Sequence, residues 1–131
     1  MRPLLALDPT PTIVPVIGVP GFRVEYPQVT YANNLTLIND LGAHANIRFA
    51  SASSPFDAYD TLAEIHHDFA TRYMYLAPLG TRPHALGAVC YALRHPGFTE
   101  LMYDNPVPAP GRTIGIGVIH VYTLKPSYVA A

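Results

Sequence analysis

The best candidate site in this chain is the run Pro78-Leu79-Gly80-Thr81-Arg82-Pro83. Glycine lets a backbone approach a ligand closely, threonine caps a helix or offers its hydroxyl, and arginine is a planar donor suited to phosphate. Where such a turn leaves a strand and opens a helix, the free backbone N–H groups and the helix dipole favour a phosphate or carboxylate. Gly80, Thr81 and Arg82 are therefore the expected anion-binding residues. His84 lies in the first helical turn, close enough to donate to a bound phosphate or act as a general acid. The same residues also fit a plain capped helix, with Thr81 as the cap and His84 three residues on.

In an open α/β sheet, ligands collect beyond the carboxyl ends of the parallel strands. Three strand-end loops are expected here: Ser51–Ser54, Pro78–Arg82, and the chain from Asp104 onward. Ser51, Ser53 and Asp104 join the candidate ligand-binding residues on that basis. Asp104 would contact a ribose hydroxyl, or else turn the chain with Asn105 and Pro106. Glu64 and His67 have the Glu-x-x-His spacing of di-iron sites, but a second such motif and two further glutamates are missing, so a solvated helix face is the reading, with no metal. Arg48, flanked by Ile47 and Phe49, needs a carboxylate if buried, with Asp57, Asp60 and Asp104 as candidates. His120 reads as a core or interface histidine. Neither Gly-x-Ser-x-Gly nor a phosphate-binding Walker loop is present, and no catalytic residue or cofactor is assigned.

These residues need elements to position them. The first 28 residues form a proline-rich extended segment, with Ile13-Val14-Pro15-Val16-Ile17 as an edge strand or extended run. Tyr31, Leu35, Ile38 and Leu41 before Gly42 predict a short helix with a glycine stop. Ala45, Ile47 and Phe49 alternate as a strand ending near Ala50. Ser54, Pro55 and Asp57 form a helix start in capping-box register, opening a helix to about Thr71. Tyr73 to Ala77 is a strand, and Thr81 caps a helix ended by His95-Pro96-Gly97. Thr99 to Tyr103 is a third strand. Ile114, Ile116, Val118, His120, Tyr122 and Leu124 predict a long final strand. Two crossover units should set three parallel strands side by side, with the last strand antiparallel at an edge. The expected architecture is a single three-layer, Rossmann-like α/β domain over residues 1–131.

Composition bounds the partners. Only 13% of the residues are charged, against about 25% in an ordinary soluble domain, while 50% are hydrophobic. A surface short of charge points to cover by another copy or another chain, a homo-oligomer or hetero-assembly. The net charge of -1 provides no global field for duplex nucleic acid. The lone Cys90 suits a reducing compartment and a place in the core. Asp8 and the early prolines cut the apolar start too short for a secretory signal, and no run approaches a membrane span, so a cytoplasmic location is expected.

The stretch from Tyr73 to Tyr103, a strand, Leu79-Gly80-Thr81-Arg82-Pro83, an apolar helix and a strand ending in tyrosine, resembles the C-terminal part of the CRISPR-associated Rossmann-fold sensor domains. In that family a Gly-Thr-Lys turn binds cyclic oligonucleotides; here Leu79 stands where a second glycine is frequent and Arg82 replaces the lysine. The resemblance implies a nucleotide-sensing or nucleotide-binding role for Gly80, Thr81 and Arg82, in antiviral defence, without catalysis. The expected function is a sensor or binding subunit for a phosphorylated or nucleotide-like small molecule. The rivals are a small hydrolase or lyase working through His84 and Asp104, and a structural assembly domain with no ligand.

Overall fold

The computed structural model describes residues 11–70, 73–103, 105, 107–111, 115 and 117–130. The elements run β1 (Val16–Gly18), α1 (Tyr26–Asn33), α2 (Leu35–Asp40), a 3-10 turn (Ala43–Asn46), β2 (Arg48–Ala50), α3 (Pro55–Phe69), β3 (Met74–Leu76), α4 (Arg82–Arg94), β4 (Thr99–Leu101) and α5 (Pro126–Val129). β1 pairs in parallel with β2, Ile17 opposite Phe49, and β3 pairs in parallel with β4, Tyr75 opposite Glu100. Each pair is closed by helices, as a parallel ladder requires a crossover. The chain is thus a mixed α/β protein with two short parallel pairs.

That arrangement corrects the expected row of three strands. Among the described residues no ladder joins β2 to β3; β2 takes β1 as its partner instead. The prolines flanking β1 do not prevent this, because Pro15 needs only its carbonyl, which accepts from Arg48 N at 2.8 Å. The pairing runs on through Val19 N to Ala50 O, also at 2.8 Å, and Ala52 N to Pro20 O at 3.0 Å.

The single helix expected before Gly42 is two helices, broken at Asn34, while Gly42 does adopt the left-handed conformation of a stop, φ 60°. The face of β2 is also reversed: Ala50 is buried and Phe49 is 60% exposed. Arg48 finds neither Asp57 nor Asp60. It pairs with Asp68 at 3.4 Å, donates to the carbonyls of Asn46 and Ile47, and lies over the ring of Phe69.

The long final strand is a further correction. Ile114 and Ile116 lie outside the described residues, and residues 117–125 form no strand. Gly115 sits at φ 74°, a left-handed turn near the start of the run, and Val118, Ile119 and Val121 are exposed with no partner strand among the described residues.

Both long helices start as their caps dictate. Ser54 Oγ accepts from Asp57 N at 3.1 Å and donates to Asp57 Oδ1 at 3.0 Å, with Pro55 in the first turn. α3 ends at Phe69, where Ala70 turns left-handed at φ 43°. Ile65 from α3, Met74 and Leu76 from β3, and Ala88 and Tyr91 from α4 form the core, with Val16 of β1 packed against it. Cys90 is buried within α4. α3 and α4 approach so closely at Gly87 that a Cβ there would lie 2.4 Å from the carbonyl oxygen of Pro55.

Candidate functional site

β3 buries Met74 and Leu76 and delivers the chain, after Ala77 and Pro78, to the turn at Gly80. Thr81 then caps α4 in extended conformation, its hydroxyl accepting from His84 N at 3.4 Å. The same hydroxyl donates to the carbonyl of Ala52 at 2.7 Å. His84 Nε2 lies 2.9 Å from the carbonyl oxygen of Ser51. A carbonyl only accepts, so Nε2 carries the proton, and in the neutral ring Nδ1 is left as an acceptor on the Gly80 side.

The structure therefore brings together two of the three expected loops, Ser51–Ser54 and Pro78–Arg82. It does so by spending the very groups that were candidate ligand donors. Thr81 and His84 hold the turn after β2, and Ser51 and Ser53 face each other, Oγ to Oγ at 3.3 Å. The carbonyl of Ser53 accepts from the Tyr122 hydroxyl. Asp104 lies outside the described residues.

Arg82 is different. It is exposed and makes no hydrogen bond or ion pair among the described residues. Its backbone amide likewise has no acceptor among them, whereas the next donor is missing at Pro83 and the one after is taken by the cap.

Arg82 and Gly80 line a cleft of 630 Å³ whose facing wall is Phe22, Val118, His120 and Tyr122. Phe22 meets His120 edge to face at 5.6 Å between centroids, and His120 lies parallel to Tyr122 at 6.3 Å. This wall was not foreseen as part of a site. The alternation of Val118, His120 and Tyr122 did mark a common face, and all three line the cleft although no ladder forms; nothing local to Phe22 marks it.

Among the described residues no group of three or more His, Cys, Asp or Glu could hold a metal ion. His67 and Asp68 lie together at 3.4 Å on the exposed face of α3, where Asp68 also meets Arg48. No helix among the described residues is long and apolar enough to cross a membrane. No family model, curated protein or solved structure matches this chain.

Proposed function

We propose that the chain is a binding or sensor subunit for a phosphorylated, nucleotide-like small molecule held in the cleft between the start of α4 and the segment 118–122. The observation that carries this reading is the guanidinium of Arg82, without a partner among the described residues, beside a helix start and facing an aromatic wall across a cleft of 630 Å³. That volume is within the range of about 300–1,000 Å³ usual for small-ligand sites. An anionic group would accept from Arg82 and its backbone amide, and a flat ring would lie against Phe22, His120 or Tyr122. Thr81 and His84 act as positioning residues: they hold the turn after β2 against the start of α4. His84 as a general acid is the weaker reading, because its protonated nitrogen already serves Ser51.

The finer architecture belongs to the same proposal. Val16 of β1 packs on the core that contains Met74 and Leu76 of β3, which supports the two parallel pairs as halves of one Rossmann-like, three-layer arrangement. The resemblance to the CRISPR-associated sensor domains supports the nucleotide and a defence role. Membership of a larger assembly is supported by Ile119 and Val121, which are 77% and 87% exposed. A cytoplasmic location fits the single, buried cysteine.

Calorimetric titration of wild type and Arg82→Ala with mono-, di- and cyclic nucleotides, and with inorganic sulfate, tests the reading. At least one nucleotide should bind in preference to sulfate, and Arg82→Ala should weaken it by about 1.5–3 kcal/mol, the value of a charge-assisted hydrogen bond. Arg82→Lys should recover part of the loss if the contact is bidentate. No binding of any nucleotide, or binding indifferent to Arg82→Ala, overturns it.

A further inference from the structure

A second concavity, of 270 Å³, lies between the end of β2 and α3 and shares no lining residue with the first. Asp57, Asp60 and Glu64 line it, with Thr61, Phe49 and Ser51. At about 100° per residue these four α3 positions fall within one face of the helix. Three of the chain's nine acidic residues are thus set around one small cavity. None has a cationic partner among the described residues, whose ion pairs are Arg48–Asp68 and His67–Asp68. The Ser54 hydroxyl donates to Asp57, leaving the carboxylates of Asp60 and Glu64 without a donor among the described residues.

An acidic face is usually met by water alone, and Thr61 is what distinguishes this one. The residue is only 7% exposed, yet its hydroxyl makes no hydrogen bond among the described residues, not even to the carbonyl one turn earlier that a mid-helix threonine commonly takes. No enclosed side-chain polar atom among the described residues lacks a partner. The Thr61 hydroxyl oxygen therefore keeps its access to the cavity that the residue lines. An accessible oxygen with no partner among the described residues can accept from a ligand carrying N–H donors. Beside it Phe49, 60% exposed, supplies an aromatic surface for an alkyl chain or a cation.

We propose that this cavity binds a small aliphatic primary amine in its ammonium form, through the carboxylates of Asp60 and Glu64 and the hydroxyl of Thr61. An ammonium has three donors and no acceptor, which matches a polar cavity with two carboxylates and the Thr61 hydroxyl oxygen in its lining. A metal ion fits worse, because no group of three ligating side chains among the described residues could hold one. The site is independent of the nucleotide cleft, and either can fail without the other.

The test is calorimetric titration of the full chain with putrescine at low ionic strength, with tetramethylammonium and magnesium chloride as probes of charge without N–H donors. Saturable one-to-one binding of putrescine is expected, with Glu64→Gln and Asp60→Asn each weakening it about tenfold, the loss of a charge-assisted hydrogen bond. Thr61→Val should weaken it further while keeping the side-chain shape. Circular dichroism checks each fold; if Thr61→Val does not fold, the exposed Glu64 and Asp60 variants carry the test. Absence of saturable binding, equal binding of tetramethylammonium or magnesium, or undiminished affinity in folded Glu64→Gln overturns the proposal.

Discussion

The hydroxyl of Thr81 donates to the carbonyl of Ala52 at 2.7 Å while accepting the amide of His84, so one side chain both starts α4 and fastens it to the turn after β2. Thr81→Val removes the cap and strips the buried Ala52 carbonyl of this donor. The expected loss is about 2–3 kcal/mol in urea denaturation. Thr81→Ser should retain most of the stability. Ser54→Ala is the comparison, since that hydroxyl only caps α3, and about 1 kcal/mol is expected there. Equal losses at the two positions would mean that the Ala52 contact contributes nothing.

Gly87→Ala sets helix propensity against packing. In an open helix the change gains about 1 kcal/mol. At Gly87 the new Cβ would lie 2.4 Å from the Pro55 oxygen and 2.9 Å from the Ala58 Cβ, so α3 and α4 must separate. A net loss of about 1–3 kcal/mol is expected. Gly97→Ala, where nothing lies within 4 Å of the new carbon, is the control. A rise in the denaturation midpoint of Gly87→Ala would contradict the observed helix spacing.

Much of this was legible in residues that act locally. The caps at Ser54 and Thr81, the stop at Gly42 and the apolar runs of β3 and α4 each need only their near neighbours. What could not be read is pairing across distance. Val16–Gly18 looks like a proline-flanked extended segment until Arg48–Ala50 arrives beside it, and the match depends on the whole chain between them. The alternation from Val118 to Tyr122 marks the residues that share the cleft wall, but alternation alone does not supply a neighbouring strand, and none is found among the described residues. Thr81 and His84 show the same limit at the site. Their types suit a phosphate, yet the nearby Ser51 and Ala52 carbonyls, 29 or more residues away in sequence, claim them first.

His95 gives a pH dependence with a definite sign. Burial, then the neighbouring Arg94 charge and His66, hold its pKa below the ordinary histidine value of 6.5. The unfolded chain therefore binds this proton more tightly than the folded one. The stability contribution is complete above the unfolded pKa and is lost as pH falls from there through the folded value. Urea midpoints measured downward from pH 7.5 should fall, and His95→Gln should flatten part of that slope. An unchanged slope would remove His95 as its source.

Gly80→Val separates folding from binding at the nucleotide cleft. Glycine at this turn suggests a left-handed backbone that valine could not adopt, but Gly80 has no positive φ, and only Nδ1 of His84, at 3.6 Å, lies within 4 Å of a built Cβ. That is ordinary contact distance for the Cβ, so a side chain can start here without a left-handed backbone or a clash at its first carbon. Gly80 precedes the cap, a position where an apolar side chain is well tolerated. The denaturation midpoint should therefore stay within about 0.5 kcal/mol of wild type. Binding should not survive. Gly80 lines the cleft beside Arg82, and the added methyl groups would occupy the approach that an anion must use to reach the guanidinium and the helix start. Gly80→Ala, with one carbon, should weaken the nucleotide less than valine does. Titration of both variants against the nucleotide selected by wild type, alongside urea denaturation, decides the matter. A stable Gly80→Val that binds as wild type does would place the ligand away from this turn; a Gly80→Val that fails to fold would mean that the turn is tighter than the distances around Gly80 allow.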